Sequence, residues 1–145
     1  MAGRYHERVR ILDGNENAFV GNVAEIVPVG PRAAYFRVRL VFNYDHVCEL
    51  WGVAAFESGA LIFDDPESST NGMPHCRMML RHVGDALLVT DPQQSCNANC
   101  GGAVTFNGAR LPWKSRRPIT YLGRLKASEQ YRQSLLAWQN RKSGS

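Results

Sequence analysis

Four cysteines are the residues of this chain with the most distinctive chemistry, and they lie close together in the sequence. They are Cys48, Cys76, Cys96 and Cys100. An even number of cysteines in a small domain predicts a disulfide framework, and four cysteines allow three pairings. Cys96 and Cys100 are near enough for a local loop, while strand alternation points Cys48 and Cys76 to one side of a sheet. The sequence therefore predicts two disulfides and leaves their pairing open.

Two other interpretations of the cysteines remain open. A zinc site would use the four cysteines, or a set with His46 and His75, but zinc sites usually come as paired C-x-x-C knuckles and no pair here has that spacing. Four reduced cysteines in a cytosolic core would also be ordinary, since free cysteine is often buried. Disulfides are rare in the cytosol, so their prediction carries with it an exported location. We predict no metal and no cofactor.

A small Cys/His hydrolase is an alternative function for the same stretch. His46 and Cys48 are two apart on a predicted strand and therefore share a face, whereas His75 and Cys76 are adjacent and point apart. The chain has no recognisable oxyanion hole, no nucleophile elbow and no phosphate-binding loop. We therefore predict no catalytic residue and treat this chain as a non-enzymatic protein.

Three acidic residues begin a polar loop that extends to Pro74. They are Asp64, Asp65 and Glu67. Loops on a rigid β scaffold often carry binding residues, and carboxylates complement a basic partner. The sequence therefore predicts these three carboxylates as the contact with a protein partner.

Alternation of apolar and polar residues predicts the elements that position these side chains. In residues 34–42, Phe36, Val38 and Leu40 alternate with arginines, which is the pattern of a half-buried strand. Similar short runs follow to position 111 with turn signals about every ten residues. The sequence predicts a mainly β (α+β) fold, an antiparallel sandwich or small barrel of six to eight short strands.

Local details of the sheet are also predicted. Residues 4–12 form either a short helix or a first strand. Gly52 interrupts the strand at 46–56, and a bulge there would change which side of the strand faces the core. Residues 103–111 are expected to form a last hairpin around Asn107-Gly108, a strong two-residue turn signal.

The β pattern ends at Pro112–Pro118, and an amphipathic helix is predicted over 119–141. Its apolar face comprises Leu122, Leu125, Leu135, Leu136 and Trp138. Arg and Lys occupy the opposite face, so we expect the helix to pack on the sheet. The whole chain, 1–145, is predicted to be one domain with a β body at 34–111, this helix at 119–141 and a disordered tail at 142–145.

The charge of the chain is unevenly distributed. Residues 110–145 hold nine Lys and Arg against one acid, while residues 1–109 hold eight Arg against twelve acids. A basic tail of this kind is a solvated helix face, or it binds an anionic surface such as lipid or polyphosphate, which is a second alternative function. No nucleic-acid module is recognisable, and no apolar run approaches the roughly 18 residues of a membrane span. Met1–Arg10 lacks the apolar stretch of a signal peptide.

Several runs of the sequence are similar to those of a small exported bacterial cysteine-containing β domain. They are Asn43-Tyr44-Asp45-His46-Val47-Cys48, Gly52-Val53-Ala54, Cys76-Arg77-Met78-Met79-Leu80, Cys100-Gly101-Gly102 and the segment from Tyr121 to Ser128 with Tyr131. Through them the chain resembles LprI-type lysozyme inhibitors and periplasmic immunity proteins. The resemblance implies a periplasmic or secreted binding protein that inhibits a cell-wall hydrolase or neutralises a toxin.

Overall fold

The structure is a computed structural model that describes residues 1–14, 16–68 and 74–143. Eight strands form one antiparallel sheet in which each strand pairs with its neighbours in the sequence. They are β1 (Gly3–Asp13), β2 (Glu16–Pro28), β3 (Ala33–Val41), β4 (Val47–Glu57), β5 (Ala60–Asp65), β6 (Cys76–Val83), β7 (Ala86–Thr90) and β8 (Arg110–Pro112). Helices α1 (Leu122–Lys126) and α2 (Glu129–Ser143) follow. The predicted mainly β fold with a C-terminal helical segment is confirmed.

The sheet is nearly closed and barrel-like. After β8 the chain passes along the free side of β1, where Arg4 and Arg117 exchange two main-chain hydrogen bonds of 2.8 and 2.9 Å. The concave side of the sheet encloses the larger apolar cluster, whose fully buried members include Tyr5, Phe36 and Phe106. Near-closure satisfies main-chain groups that an open sheet would expose at its edges.

Side-chain alternation on β3 and β4 follows the prediction. Phe36, Val38 and Leu40 are buried in the main core, and Cys48 and Leu50 join them from β4. A bulge at position 52 does not interrupt the β3–β4 pairing, whose register runs continuously past that residue. A glycine is required at position 52 because the Phe63 ring of β5 occupies the space that a side chain would fill.

The two ends of the predicted β region differ from the expectation. Residues 4–12 belong to β1, which pairs with β2 over eleven residue pairs to form a long hairpin. Residues 103–106 are not a strand, so the expected last hairpin is wrong: β8 pairs with β7 instead. Phe106 accounts for this difference, because its side chain is fully buried and fills one end of the core.

The helices pack on the outer face of β3 and β4. Leu125 of α1 and Tyr131 of α2 are buried with Tyr35 and Val53, and the rings of Tyr35 and Tyr131 meet edge to face at 5.1 Å. A second, smaller apolar cluster therefore lies between sheet and helices. No helix in the described ranges has the length and apolarity needed to cross a bilayer.

The helical segment is divided where one continuous helix was predicted. The hydroxyl of Ser128 donates to the carbonyl of Leu125 at 2.6 Å and accepts from the amide of Tyr131 at 3.3 Å, which ends α1 and caps α2. The division changes which side chains face the sheet, and Leu122 and Leu136 are consequently exposed. Helix α2 continues to Ser143, two residues beyond the predicted end, and residues 144–145 of the predicted tail lie outside the described residues.

Candidate functional site

A groove of about 630 Å3 lies where β4 and β5 separate beneath α2. The β4–β5 pairing comprises three residue pairs and ends at Ala55 and Ile62. Beyond that point the sheet is split, and the outer side of the split is covered by α2. This β4–α2 groove is lined by Trp51, Gly52, Val53, Phe63, Asp65, Glu67, Gln133, Ser134, Ala137, Asn140 and Arg141. Its volume falls in the range of ligand-binding clefts.

Gly52 and Phe63 form the floor of the groove. A Cβ atom on Gly52 would lie 2.5 Å from Cε1 of Phe63, so the ring occupies the space that any other residue would need. The Phe63 ring also meets Phe36 edge to face at 5.1 Å, which holds it in this position. The absent side chain therefore lets Phe63 turn into the core at the point where the strands part.

Arg141 closes the far side of the groove. Its Nη1 donates a hydrogen bond to the main-chain carbonyl of Asp64, and its guanidinium lies 5.9 Å from the centre of the Phe63 ring. The Asp64 carbonyl is a β5 group left without a strand partner by the split. Arg141 thus links the end of α2 to the separated strand.

Two of the three predicted acidic residues line this groove, and the third does not. Asp65 and Glu67 line it, and the Asp65 carboxylate accepts the amide hydrogen of Glu67 at 3.2 Å. Asp64 is exposed beside them, and its carboxylate contacts Nε2 of His75. The structure therefore brings two of the three carboxylates into the groove and ties the third to a histidine. Residues 69–73 of the predicted contact loop lie outside the described residues.

Trp51 also lines the groove, and it was not predicted because the sequence interpretation selected charged residues. Its side chain is 38% exposed, which is high for an indole beside a packed helix. Alternation along β4 directs it to the outer face of the sheet with Glu49 and Val47. Exposed tryptophan is enriched at binding surfaces because it contributes a large contact area and a hydrogen-bond donor. The signal available in the sequence was thus an aromatic residue on the solvent side of a strand.

The cysteines form two disulfides, as predicted. The bonds join Cys48 to Cys100 and Cys76 to Cys96, with Cα–Cα distances of 3.9 and 4.5 Å, so the local Cys96–Cys100 loop does not occur. Both bonds tie the segment after β7 to strands at the same end of the sheet. The segment that follows Asp91 is therefore fixed across that end.

The disulfides change what the histidines beside them can do. Cys48 is bonded to Cys100, so the oxidised protein has no Cys48 thiolate for the Cys/His hydrolase hypothesis. His46 packs against Gly102, where a Cβ atom would touch its ring. Within residues 1–14, 16–68 and 74–143, no group of three or more His, Cys, Asp or Glu has metal-binding geometry.

A charged network lies under α1, on the outer face of the sheet. Arg37 contacts Glu25 at 3.2 Å and Glu49 at 2.8 Å, and the Tyr121 hydroxyl donates to Glu25. Burial, followed by this hydrogen bond, raises the pKa of Tyr121 above its usual value. Each charged member is paired, so the network fixes α1 on the sheet and leaves little free capacity for a ligand.

In comparisons with protein-family models, curated proteins and solved structures, nothing matches this chain. The features of the chain that bear on function are therefore the β4–α2 groove and the disulfides.

Proposed function

We propose that this chain is an exported, non-enzymatic binding protein that blocks a basic cell-wall hydrolase or a bacterial toxin. The observation that supports it is the groove itself: two of the predicted carboxylates, Asp65 and Glu67, share a cleft with the exposed Trp51. Aromatic anchors beside complementary charge are typical of residues that dominate protein interfaces.

The charge of the groove favours a basic partner. Asp65 and Glu67 line it together with one cation, Arg141, while the carboxylate of Asp64 contacts His75. The whole chain carries a net charge of +4, so attraction to a basic partner depends on local acidic regions such as this one. Local complementarity of this kind raises the association rate and sets the orientation of the complex.

The two disulfides support both the location and the inhibitory mode. Bonds of this type persist in oxidising compartments such as the periplasm or the extracellular space. They also fix the end segment to β4 and β6, the strands on either side of β5, so little conformational freedom is lost there when a partner binds. A rigid surface inserted into a catalytic cleft inhibits an enzyme by excluding its substrate. The proposal agrees in kind with the resemblance to lysozyme inhibitors and immunity proteins.

The test is binding of the intact oxidised protein to lysozyme and to a panel of basic bacterial nuclease toxins. The double variant Asp65→Asn/Glu67→Gln removes two charges with little change in shape. We expect at least tenfold weaker binding, mainly through a slower association rate, and a reduced dependence on salt. The matched control is Glu57→Gln/Asp85→Asn, which removes two exposed charges outside the groove.

Two results would contradict the proposal. Unchanged affinity of the groove double variant, with the control also unchanged, would reject the acids as the contact. A wild-type protein that binds no member of the panel would reject inhibition of a basic hydrolase or toxin.

A further inference from the structure

We propose that a second pocket, separate from the β4–α2 groove, binds a fatty acid: a single acyl chain that ends in a carboxylate. The pocket has a volume of about 500 Å3 and lies where the segment after β8 passes beside β1. It shares no residue with the groove, so binding here is independent of the proposed function. Its volume suits one drug-sized ligand, which corresponds to one acyl chain rather than the two chains of a phospholipid.

The wall of this pocket is built by the main chain of the fold. Arg4 and Arg117 exchange two main-chain hydrogen bonds of 2.8 and 2.9 Å, which fix the crossing segment to β1. Gly3 has a φ of +133°, and a Cβ atom there would lie 2.8 Å from the carbonyl oxygen of Arg117 and 3.1 Å from Cγ of Arg116. A glycine is therefore needed for this close approach. The wall belongs to the folded scaffold, so a ligand meets a preformed surface.

Apolar residues form most of the pocket lining. Ile26 and Val27, at the end of β2, are the buried part of it, and its exposed part includes Pro28 and Pro118. Leu122 also lines the pocket and is 38% exposed, so an acyl chain bound there would remove apolar surface from water. A largely apolar cleft with a few polar groups is typical of small-molecule sites.

The charged side chains of the described lining are two exposed arginines, Arg116 and Arg117. Nη1 of Arg117 donates to the carbonyls of Lys114 and Arg116, both at 2.9 Å, and Nη1 of Arg116 lies 3.5 Å from the carbonyl of Ala2. No ion pair within the described ranges includes either guanidinium. The planar fork of a guanidinium matches the two oxygens of a carboxylate. A fatty acid therefore complements both the apolar lining and its positive charge.

Titration of the oxidised protein with decanoate, kept below its micelle concentration, tests the site. The neutral analogue decanol has the same chain length without the charge. We expect saturable binding of decanoate, with NMR shifts at the methyl groups of Ile26, Val27 and Leu122. Decanol should bind at least tenfold more weakly, because it cannot form charge-assisted hydrogen bonds with the arginines.

The variant Arg116→Gln/Arg117→Gln separates the contribution of charge from that of the apolar lining. It should weaken decanoate binding about tenfold and leave decanol binding unchanged, because only the carboxylate uses the guanidinium groups. The matched control is Arg81→Gln/Arg132→Gln, which removes two exposed arginines outside the pocket and should change neither affinity.

A second pair of variants tests the apolar lining. Leu122→Gln should weaken the binding of decanoate and decanol alike, since both chains lose the same apolar contact. Leu136→Gln is the matched control, because Leu136 is 58% exposed on α2 and lies outside the pocket. Equal effects of the two leucine substitutions would place the chain elsewhere and overturn the inference.

Further results would also overturn it. They are the absence of saturable decanoate binding, equal affinity for decanoate and decanol, and shifts confined to residues outside the pocket. Tighter binding of decyl phosphate than of decanoate would do so in favour of a phosphate head group, and stronger shifts with phosphatidylglycerol vesicles would do so in favour of a membrane surface. If the double arginine variant does not fold, the comparison of decanoate with decanol on the wild type still decides.

Discussion

Asp91 is the most deeply buried acidic side chain in the described residues, and its surroundings show why it is there. Its carboxylate accepts hydrogen bonds from the amide of Ser95 at 2.8 Å, the hydroxyl of Ser95 at 2.9 Å and the amide of Cys96 at 2.9 Å. The Asp91 amide in turn donates to the side chain of Asn107 at 2.8 Å. One carboxylate thus organises the start of the disulfide-bonded end segment.

Asp91→Ala should lower the free energy of unfolding by about 3 kcal/mol, because it leaves buried donors without an acceptor. Asp85→Ala removes an exposed carboxylate and is the matched control, with an expected change within about 0.5 kcal/mol. Urea unfolding of both oxidised variants measures the difference. A change of less than about 1 kcal/mol for Asp91→Ala would show that the segment is organised by other contacts.

Two buried tyrosines make stability sensitive to alkaline pH. Burial raises the pKa of Tyr5 from 10.0 to about 12, and burial followed by the nearby Glu25 carboxylate does the same for Tyr35. The folded protein therefore keeps two phenolic protons that the unfolded chain loses above pH 10. Their contribution is complete below about pH 10 and is lost as the pH rises towards 12.

Urea unfolding between pH 9 and 12 checks this pH dependence, with phenolate absorbance recorded on the folded protein. We expect stability to fall across this range and the fall to be smaller in Tyr5→Phe/Tyr35→Phe. An equal fall in the wild type and the double variant would assign the alkaline sensitivity to other groups.

Individual site residues could be predicted from the sequence only in part. The carboxylates Asp65 and Glu67 were identified by their charge in a polar loop. Trp51 and Asn140 were not, because they come together only when α2 lies across the split between β4 and β5. The disulfides were predicted by cysteine count, but their pairing depends on where the segment after Asp91 crosses the sheet.

A close contact between a glycine and an aromatic ring lies beside the split between β4 and β5. Gly52 faces the core next to Phe63, and the ring fills the space beside it. The sequence signalled an irregularity at Gly52, and a bulge was the local explanation. In the structure, Gly52 is required by its contact with Phe63, eleven positions away in the sequence. A local sequence pattern cannot specify such a contact.

Gly52→Ala should destabilise the fold by about 2 kcal/mol, since the new Cβ would displace a packed aromatic ring. Gly21→Ala is the matched control: its Cβ would meet only the end of the partly exposed His6 side chain, which can move aside. Phe63→Leu in the Gly52→Ala background should recover part of the loss. Thermal unfolding of the four proteins measures this, and equal destabilisation by the two glycine substitutions would contradict it.

Elements with strong periodicity were predicted well, and elements set by tertiary contacts were not. The alternation around Phe36 located β3 and its buried face. The prediction of a strand at 103–106 was wrong. The Phe106 side chain is buried in the core, and the segment does not pair as a strand. The helix predicted over 119–141 is divided in two because Ser128 caps α2. Whether such a serine lies inside a helix or at its end depends on how Tyr131 packs.

Across the whole molecule, the basic tail and the acidic body meet mostly through uncharged contacts. The three ion pairs in the described residues lie within residues 1–109, where they involve Arg37 and His75. The tail contributes the Tyr121 hydroxyl and the Arg141 bond to a main-chain carbonyl. Arg124, Lys126 and Arg132 are exposed, so binding of an anionic surface by this region stays a prediction.

The two disulfides fix the segment after β7 to one end of the sheet. The Cys48–Cys100 and Cys76–Cys96 bonds span 52 and 20 positions of sequence, and each is expected to stabilise the fold by about 3 to 4 kcal/mol through restriction of the unfolded chain. They also connect location to function: an oxidising compartment forms the bonds, and the bonds hold the strands around the β4–α2 groove.

Disulfide mapping of the native protein tests this account most directly. The protein is alkylated as it is released from freshly harvested cells, digested without reductant and analysed by mass spectrometry. The account predicts no alkylated cysteine and two linked peptide pairs, Cys48 with Cys100 and Cys76 with Cys96. Alkylation of all four cysteines, or a Cys96–Cys100 link, would contradict it.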